Sequence, residues 1–212
     1  DACELPLICD ADTGFGNAIN VMRTVKEYER AGVAGLHIED QDIPKRCGHL
    51  FGKSLISTGE MVGKIKAALD TRKDADFIII ARTDARTALG FDAALERAHA
   101  YAEAGADVIF FESPRTVEEL QNVASSVSKP VLANMVETGL TPFITATELE
   151  QMGYGLVIYA GGLARFLTRQ ADGFLRNLLD TGTTEAYWTR MNSFAEQNEL
   201  LELEKFEALA KK

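Results

Sequence analysis

Short apolar runs alternate with amphipathic segments along the chain. Six runs rich in Val, Ile, Leu and Phe predict β-strands, because each is short and ends on a polar or turn-forming residue. These strands cover residues 5–10, 35–39, 77–82, 108–112, 131–134 and 156–159. Apolar residues at helical spacing predict helices over residues 18–31, 58–71, 91–104, 116–125 and 145–152. Such alternation is typical of parallel strands joined by helical crossovers, so the predicted class is α/β.

Polar residues at the strand ends distinguish two α/β architectures. No G-x-G-x-x-G motif follows the first strand, which argues against an open sheet of the dinucleotide-binding type. Five consecutive predicted strands end in charged or amide side chains, and a closed barrel brings all such ends to one mouth. These side chains are Asp10 and Asp12, Glu39 and Asp40, Arg82 and Asp84, Glu112, and Asn134. We therefore predict a (β/α)8 TIM-type barrel, of which six of the eight strands are visible in this chain.

After residue 159 the strand pattern gives way to helices. A Gly-Gly turn leads into a helical stretch over 163–179, and a helix-rich tail covers 185–212. We expect two parts: residues 1–162, a barrel lacking its first two strand–helix units, and residues 163–212, helices for barrel closure and subunit exchange. The apolar faces of the tail helices favour docking on another subunit. A helix lying across its own barrel is the alternative.

Composition and charge exclude some classes of protein. The 212 residues include 22 basic and 32 acidic side chains, for a formal charge of −10, and 46% are hydrophobic. This is ordinary globular composition, and no uncharged apolar run approaches the roughly 18–20 residues that span a membrane. The acidic balance argues against nucleic acid and anionic membranes as partners. Three sparse cysteines, Cys3, Cys9 and Cys47, predict a reducing, cytoplasmic location.

Two aspartates mark the end of the first strand. Side chains at i and i+2 of a strand share a face, so Asp10 and Asp12 would both enter the barrel mouth. With Glu39 on the next strand they form an all-oxygen set that suits Mg²⁺, or alternatively Mn²⁺. Capping of the following turn by one aspartate is the alternative.

The loop over residues 41–52 is long. Glu39 and Arg82 lie 43 positions apart, against 27 for Asp12 to Glu39. Cys47 in this loop is flanked by Lys45, Arg46 and His49, an electropositive setting that lowers a thiol pKa and eases proton exchange. A surface loop with an incidental cysteine is the alternative.

Arg82 ends a strand of apolar residues, so its guanidinium would lie beside the carboxylates of the mouth. Arginine suits two-point binding of a substrate carboxylate. A structural ion pair with Glu112 or Asp84 is the alternative.

Six segments together resemble the isocitrate lyase/phosphoenolpyruvate mutase superfamily. They are DADTGFG (10–16), GLHIEDQ (35–41), KRCGHL (45–50), ARTDA (81–85), FFE (110–112) and VLANM (131–135). They occur in family order, and KRCGH after an IED strand end is the most diagnostic. The pattern is most similar to the short members of the methylisocitrate lyase and 2,3-dimethylmalate lyase type.

The resemblance implies an assembly and a set of roles. The family fold is a (β/α)8 barrel whose last helix is exchanged between subunits, generally in a dimer of dimers. Asp12 would bind Mg²⁺ most directly, with Asp10 and Glu39 holding its waters. Cys47 would be the catalytic acid, and Lys45, His49 and Arg82 would be the other catalytic residues, with Lys45 assisting in holding the substrate. The implied substrate-binding residues are Gly48, His49, Arg82, Glu112 and Asn134.

The implied activity is Mg²⁺-dependent cleavage of a carbon–carbon bond in a 2-hydroxy dicarboxylate or tricarboxylate, giving a 2-oxo acid and a carboxylate. Oxaloacetate hydrolysis or decarboxylation, or a carboxyphosphonate-type phosphonomutase activity, is the enzymatic alternative. Cys47 favours the lyases, since the phosphonate-forming mutases lack it. A truncated, non-catalytic barrel serving as an assembly module is the alternative of another class. Glu137-Thr138-Gly139 departs from the Glu-Phe-Gly of many family lyases, which leaves the substrate's variable end unassigned.

Overall fold

A computed structural model describes residues 4–48, 50 and 52–211. Its centre is a sheet of six parallel strands in sequential order. The strands are β1 (Ile8–Asp10), β2 (Gly35–Glu39), β3 (Ile78–Thr83), β4 (Val108–Phe111), β5 (Val131–Asn134) and β6 (Leu156–Ile158). The α/β class and the parallel, barrel-type strand order are therefore confirmed.

Nine α-helices and one 3₁₀ helix lie within the described part of the chain. They are α1 (Ala18–Arg30), α2 (Thr58–Thr71), α3 (Ala85–Leu89), α4 (Phe91–Glu103), α5 (Val117–Ser126), α6 (Ala146–Met152), α7 (Gly162–Thr181), the 3₁₀ helix (Glu185–Arg190), α8 (Phe194–Leu200) and α9 (Leu203–Ala210). Thr145 caps α6 in a full capping box, because its hydroxyl accepts from the Glu148 amide while the Glu148 carboxylate accepts from the Thr145 amide. The short helix α3 is the one element of the sheet region that the apolar pattern missed.

The two faces of the sheet contact different parts of the structure. Ile79 and Ala81 belong to the main core between the sheet and its helices. Ile80 lies on the opposite face, in a smaller apolar cluster with Val108, Phe110 and Leu132. Since side chains alternate along a strand, Arg82 shares the face of Ile80. The inner face is thus apolar at its floor and charged at the carboxyl ends of the strands.

The chain divides into two compact units, one up to Ala160 and one from Gly161 onward. The second unit contains α7, the 3₁₀ helix, α8 and α9, and none of the described residues in these elements is buried. Within this unit the rings of Phe174 and Tyr187 meet edge to face, with centroids 5.3 Å apart. None of the described helices is long and apolar enough to cross a membrane.

Candidate active site

Strand register brings the predicted polar side chains together. Glu39 of β2 is paired with Arg82 of β3, and Arg82 with Phe110 of β4. The Arg82 guanidinium carbon lies 4.8 Å from the centroid of the Phe110 ring. The strand ends therefore build one site on the inner face of the sheet.

Arg82 is surrounded by carboxylates. Its Nε and Nη2 donate to the two oxygens of Asp84, at 2.9 and 3.1 Å. Its Nε lies 3.4 Å from Glu39 Oε2, and its Nη2 lies 3.5 Å from Glu112 Oε2. Burial lowers the pKa of Arg82, but the charges of Glu112, Asp84 and Glu39 outweigh burial and raise it. The guanidinium therefore stays charged, and the ion pairs expected as the alternative role for Arg82 are present.

Glu112 is itself held in place. Ser113 Oγ donates to Glu112 Oε1 at 2.7 Å, and Asn134 Nδ2 donates to Glu112 Oε2 at 3.2 Å. Ser113 has a φ of 58°, an uncommon backbone conformation for a residue with a side chain. The predicted substrate-binding residues Arg82, Glu112 and Asn134 are thus brought into one buried, hydrogen-bonded group.

The predicted acidic group is gathered around a lysine. Lys45 Nζ lies 2.6 Å from Asp12 Oδ1 and 3.6 Å from Glu39 Oε1. Burial lowers the pKa of Lys45, but the hydrogen bond to Asp12 and the charges of Glu39 and Asp10 raise it overall. The ammonium shows that a positive charge is stabilised between these carboxylates.

Strand alternation was the wrong reason for placing Asp10 and Asp12 together. Strand β1 ends at Asp10, and Asp12 lies beyond it with a left-handed φ of 51°. The Asp12 amide donates to Asp10 Oδ1 at 2.8 Å, so a tight turn joins the two residues. Their side chains are 53% and 42% exposed, whereas Glu39 is fully buried. The turn therefore leaves both aspartates accessible at the edge of the site.

Glu39 has unsatisfied oxygens. Both Oε atoms are buried and make no hydrogen bond. Burial raises the pKa of Glu39 to about 7, against the opposing charge of Arg82. Buried carboxylate oxygens without donors fit a hydrated cation, whose waters would supply the missing hydrogen bonds.

Direct chelation by several side chains is not preformed. Within residues 4–48, 50 and 52–211, no group of three or more His, Cys, Asp or Glu side chains could hold a metal ion. Mg²⁺ commonly keeps several waters and takes only one or two protein carboxylates. The accessible Asp10 and Asp12 beside the buried Glu39 fit that kind of binding.

The loop over residues 41–52 is hereafter called the Cys47 loop. Its described residues 41–48 are held by side-chain hydrogen bonds and lie against the site. Gln41 Nε2 donates to the Arg46 carbonyl at 2.8 Å, and the Arg46 amide donates to Gln41 Oε1 at 2.9 Å. Cys47 is exposed, and Gly48 is buried against Arg82 and Glu112. His49, predicted to bind substrate, lies outside the described residues.

Asp40 does not join the mouth. Its Oδ2 accepts from Thr83 Oγ1 at 2.8 Å, from Arg97 Nη1 at 2.9 Å and from Tyr101 OH at 2.8 Å. Arg97 and Tyr101 belong to α4, so this carboxylate ties the sheet to its helices. Grouping Asp40 with the mouth was wrong, because it is one position out of phase with Glu39 and therefore faces the opposite side.

Two supporting residues escaped the sequence prediction. Lys53 Nζ bonds to Asp84 Oδ1 at 3.1 Å and to the Gly48 carbonyl. Ser113 supports Glu112 as described above. No spacing or periodicity signal marks either residue, although Lys53 directly follows a loop that the sequence had already singled out.

A model of the family described as phosphoenolpyruvate phosphomutase matches residues 1–179. The chain is 51% identical to 2,3-dimethylmalate lyase of Eubacterium barkeri over 205 residues, which are 97% of this chain and 71% of that protein. The chain belongs to the isocitrate lyase/phosphoenolpyruvate mutase superfamily.

Other members of the superfamily show the same likeness. The chain is 51% identical to 2-methylisocitrate lyase of Aeropyrum pernix, over 85% of this chain and 58% of that protein. A crystal structure of phosphonopyruvate hydrolase in complex with oxalate and Mg²⁺ superposes with a TM-score of 0.85 and 32% identity, over 99% of this chain and 73% of that one. The chain therefore spans between about three-fifths and three-quarters of these superfamily members.

Proposed function

We propose that the protein is a Mg²⁺-dependent carbon–carbon lyase acting on a 2-hydroxy dicarboxylate or tricarboxylate of the methylisocitrate or dimethylmalate type. One observation carries the proposal: a cation-stabilising acidic group and the buried, ion-paired guanidinium of Arg82 share one mouth beside the Cys47 loop. The names of the two lyase relatives support this choice over the other activities of the superfamily.

Arg82, Asn134 and the Cys47 loop would bind the substrate. Asp84 and Glu112 hold the Arg82 guanidinium in one orientation, which suits a two-point contact with a carboxylate. Asp12, with Asp10 and Glu39 on its waters, would hold Mg²⁺. When bound, the cation would stabilise negative charge on the substrate's C1 carboxylate and C2 oxygen.

Cys47 would complete the reaction as the general acid. The C2 hydroxyl proton passes to solvent water, and the C2–C3 bonding pair passes to the leaving fragment, a carboxylate carbanion stabilised as its enediolate. The Cys47 thiol donates its proton to that carbon, and the thiolate regains a proton from water. Arg82 offsets the developing charge, and Lys45 on the same loop adds a second cation.

Residues 1–162 would form the catalytic barrel part, and residues 163–212 would close the barrel and exchange between subunits. We propose a cytoplasmic homo-oligomer, a dimer of dimers. The unburied apolar side chains of the second unit support this assembly, among them Leu163, Phe166 and Phe194.

The test is turnover by the purified protein with Mg²⁺ and, separately, methylisocitrate, dimethylmalate and oxaloacetate. We expect a 2-oxo acid from methylisocitrate or dimethylmalate, loss of activity in EDTA and recovery on adding Mg²⁺. Turnover of oxaloacetate alone would instead favour the hydrolase or decarboxylase. No turnover of any of the three would refute the lyase.

Replacing the acid isolates its role. We expect Cys47→Ser to lower kcat by roughly 10²–10⁴-fold, the usual contribution of a positioned general acid. Mg²⁺ binding, measured by calorimetry, should be unchanged. Cys9→Ser is the matched control, because Cys9 is a half-buried strand residue. Near wild-type turnover in Cys47→Ser would remove Cys47 from the mechanism.

A further inference from the structure

A buried lysine links the Cys47 loop to the arginine of the site. The Lys53 side chain is 1% exposed, and its ammonium donates both to the carbonyl of Gly48 and to Asp84 Oδ1, at 3.1 Å from the latter. We propose that Lys53 is a positioning residue that holds the Cys47 loop in its seated conformation and couples that conformation to the orientation of Arg82. The catalytic consequence rests on the proposed lyase function, whereas the positioning itself does not.

The Lys53 ammonium can link the Cys47 loop to Arg82 because its two partners, Asp84 and Gly48, lie on different parts of the site. Asp84 is fully buried, and its oxygens already accept from Arg82 Nε and Nη2. Lys53 shares Asp84 Oδ1 with Arg82 Nη2, so one carboxylate orients both cations. A buried charge needs such pairing, since leaving it unpaired costs several kcal/mol.

The second partner lies on the Cys47 loop itself. The Gly48 carbonyl accepts from Lys53 Nζ, and its other described donor, Ser113 Oγ, is 3.5 Å away. A charge-assisted hydrogen bond is about twice as strong as a neutral one. Lys53 therefore makes the stronger of the two described hydrogen bonds to the residue next to Cys47.

Two side chains restrain the backbone on either side of Cys47. Gln41 holds the backbone of Arg46, and Lys53 holds the carbonyl of Gly48. The base of the loop is closed independently, because the Asp42 amide donates to the Ser54 carbonyl at 2.8 Å. Loss of Lys53 should therefore free the backbone at Gly48 while leaving the base of the loop and the strand ends beneath it intact.

Trypsin measures the restraint without reference to activity. Lys45 and Arg46 are cleavage sites inside the Cys47 loop, and cleavage requires the segment to leave its seat. We expect Lys53→Met to be cut after these residues at least tenfold faster than wild type. Cleavage at the remaining sites should be unchanged, apart from residue 53, where the substitution itself removes a trypsin site. Lys66→Met is the matched control, because Lys66 is exposed on α2 and should match wild type.

Two further variants keep the test decisive. Lys53→Arg retains a cation and should stay within threefold of the wild-type rate. If Lys53→Met unfolds, shown by faster cleavage throughout the chain, the same comparison is made with Lys53→Gln. Wild-type cleavage rates after Lys45 and Arg46 in the folded neutral variant would overturn the proposal, as would Lys53→Arg matching that variant's accelerated rate.

Turnover separates this inference from the proposed function. In an active wild-type protein, Lys53→Met should lower kcat on the order of 100-fold, because a misplacement of about 1 Å has that effect. The Mg²⁺ concentration for half-maximal activity should change by less than threefold. A wild-type protein with no turnover would refute the lyase, while the proteolysis result would still decide the role of Lys53.

Discussion

Gly48→Ala tests whether the Cys47 loop sits on Arg82, the arginine proposed to bind substrate, during turnover. A Cβ at residue 48 would lie 2.5 Å from Arg82 Nη2 and 2.7 Å from Glu112 Cγ. The φ of Gly48 is not among the positive values in the chain, so alanine can adopt the local backbone conformation. The close approach to Arg82 and Glu112, and not the backbone conformation, therefore requires glycine here.

The size of the effect follows from those distances. Ordinary contact begins at 3.4 Å, so the methyl group must move away from Arg82 by about 0.9 Å. Both contacted side chains are held by other partners, and the Cys47 loop is the part that can yield. A displacement of about 1 Å at a catalytic group costs roughly 100-fold in rate, or about 2.7 kcal/mol.

The assay is kcat/KM at saturating Mg²⁺, together with urea denaturation. We expect kcat/KM to fall about 100-fold while the free energy of unfolding changes by less than about 1 kcal/mol, because the loop can lift without opening the core. Gly63→Ala is the control, because a Cβ there meets nothing within 4 Å. Inside helix α2, alanine has a helix propensity about 1 kcal/mol more favourable than that of glycine. Wild-type kcat/KM in Gly48→Ala would refute the seated loop.

Two further predictions concern the carboxylates. Asp40→Ala should lower the free energy of unfolding by about 3–5 kcal/mol in urea titrations, because it leaves buried partners unpaired. The control is Asp42→Ala, which should change the free energy of unfolding by less than about 0.5 kcal/mol because Asp42 is exposed. Equal effects of the two substitutions would contradict the structural role of Asp40. Glu39 has its pKa raised to about 7, so Mg²⁺ should displace its proton and bind more tightly as the pH rises through 7. Adding Mg²⁺ at pH 7 should release roughly half a proton from Glu39, measured with a pH indicator in weak buffer. This release should disappear in Glu39→Gln. Equal proton release by the variant would contradict the assignment of the proton to Glu39.

The apolar pattern predicted the sheet well because its four central strands, β2 to β5, are buried and parallel. The bounds of β2, β5 and α2 agree with the sequence prediction residue for residue. Strand β1 is shorter than predicted and begins at Ile8, since Leu5 and Leu7 are exposed despite being apolar.

The sequence predicted most of the residues of the site, but fewer of the contacts between them. Strand ends placed Glu39, Arg82 and Glu112 together correctly, because register and alternation determine where such side chains point. The turn that carries Asp12 could not be predicted, since a left-handed aspartate has no periodic signal. Lys53 was missed because long-range ion pairs depend on loop conformation, which local sequence does not specify.

The charges of the site explain why it should take a divalent cation. Ion pairs, and the hydrogen bond from the Asp12 amide to Asp10, join eight charged residues into one network. They are Asp10, Asp12, Glu39, Asp84 and Glu112, and Lys45, Arg82 and Lys53. With every group ionised, five carboxylates against three cations leave a formal charge of −2, and the accessible Asp10 and Asp12 lie at the edge of this network. Burial alone favours partial protonation of Glu39, whereas a bound Mg²⁺ would neutralise the excess charge and keep Glu39 ionised. A neutral site of that composition could then accept a dicarboxylate at Arg82 without repulsion from the surrounding carboxylates.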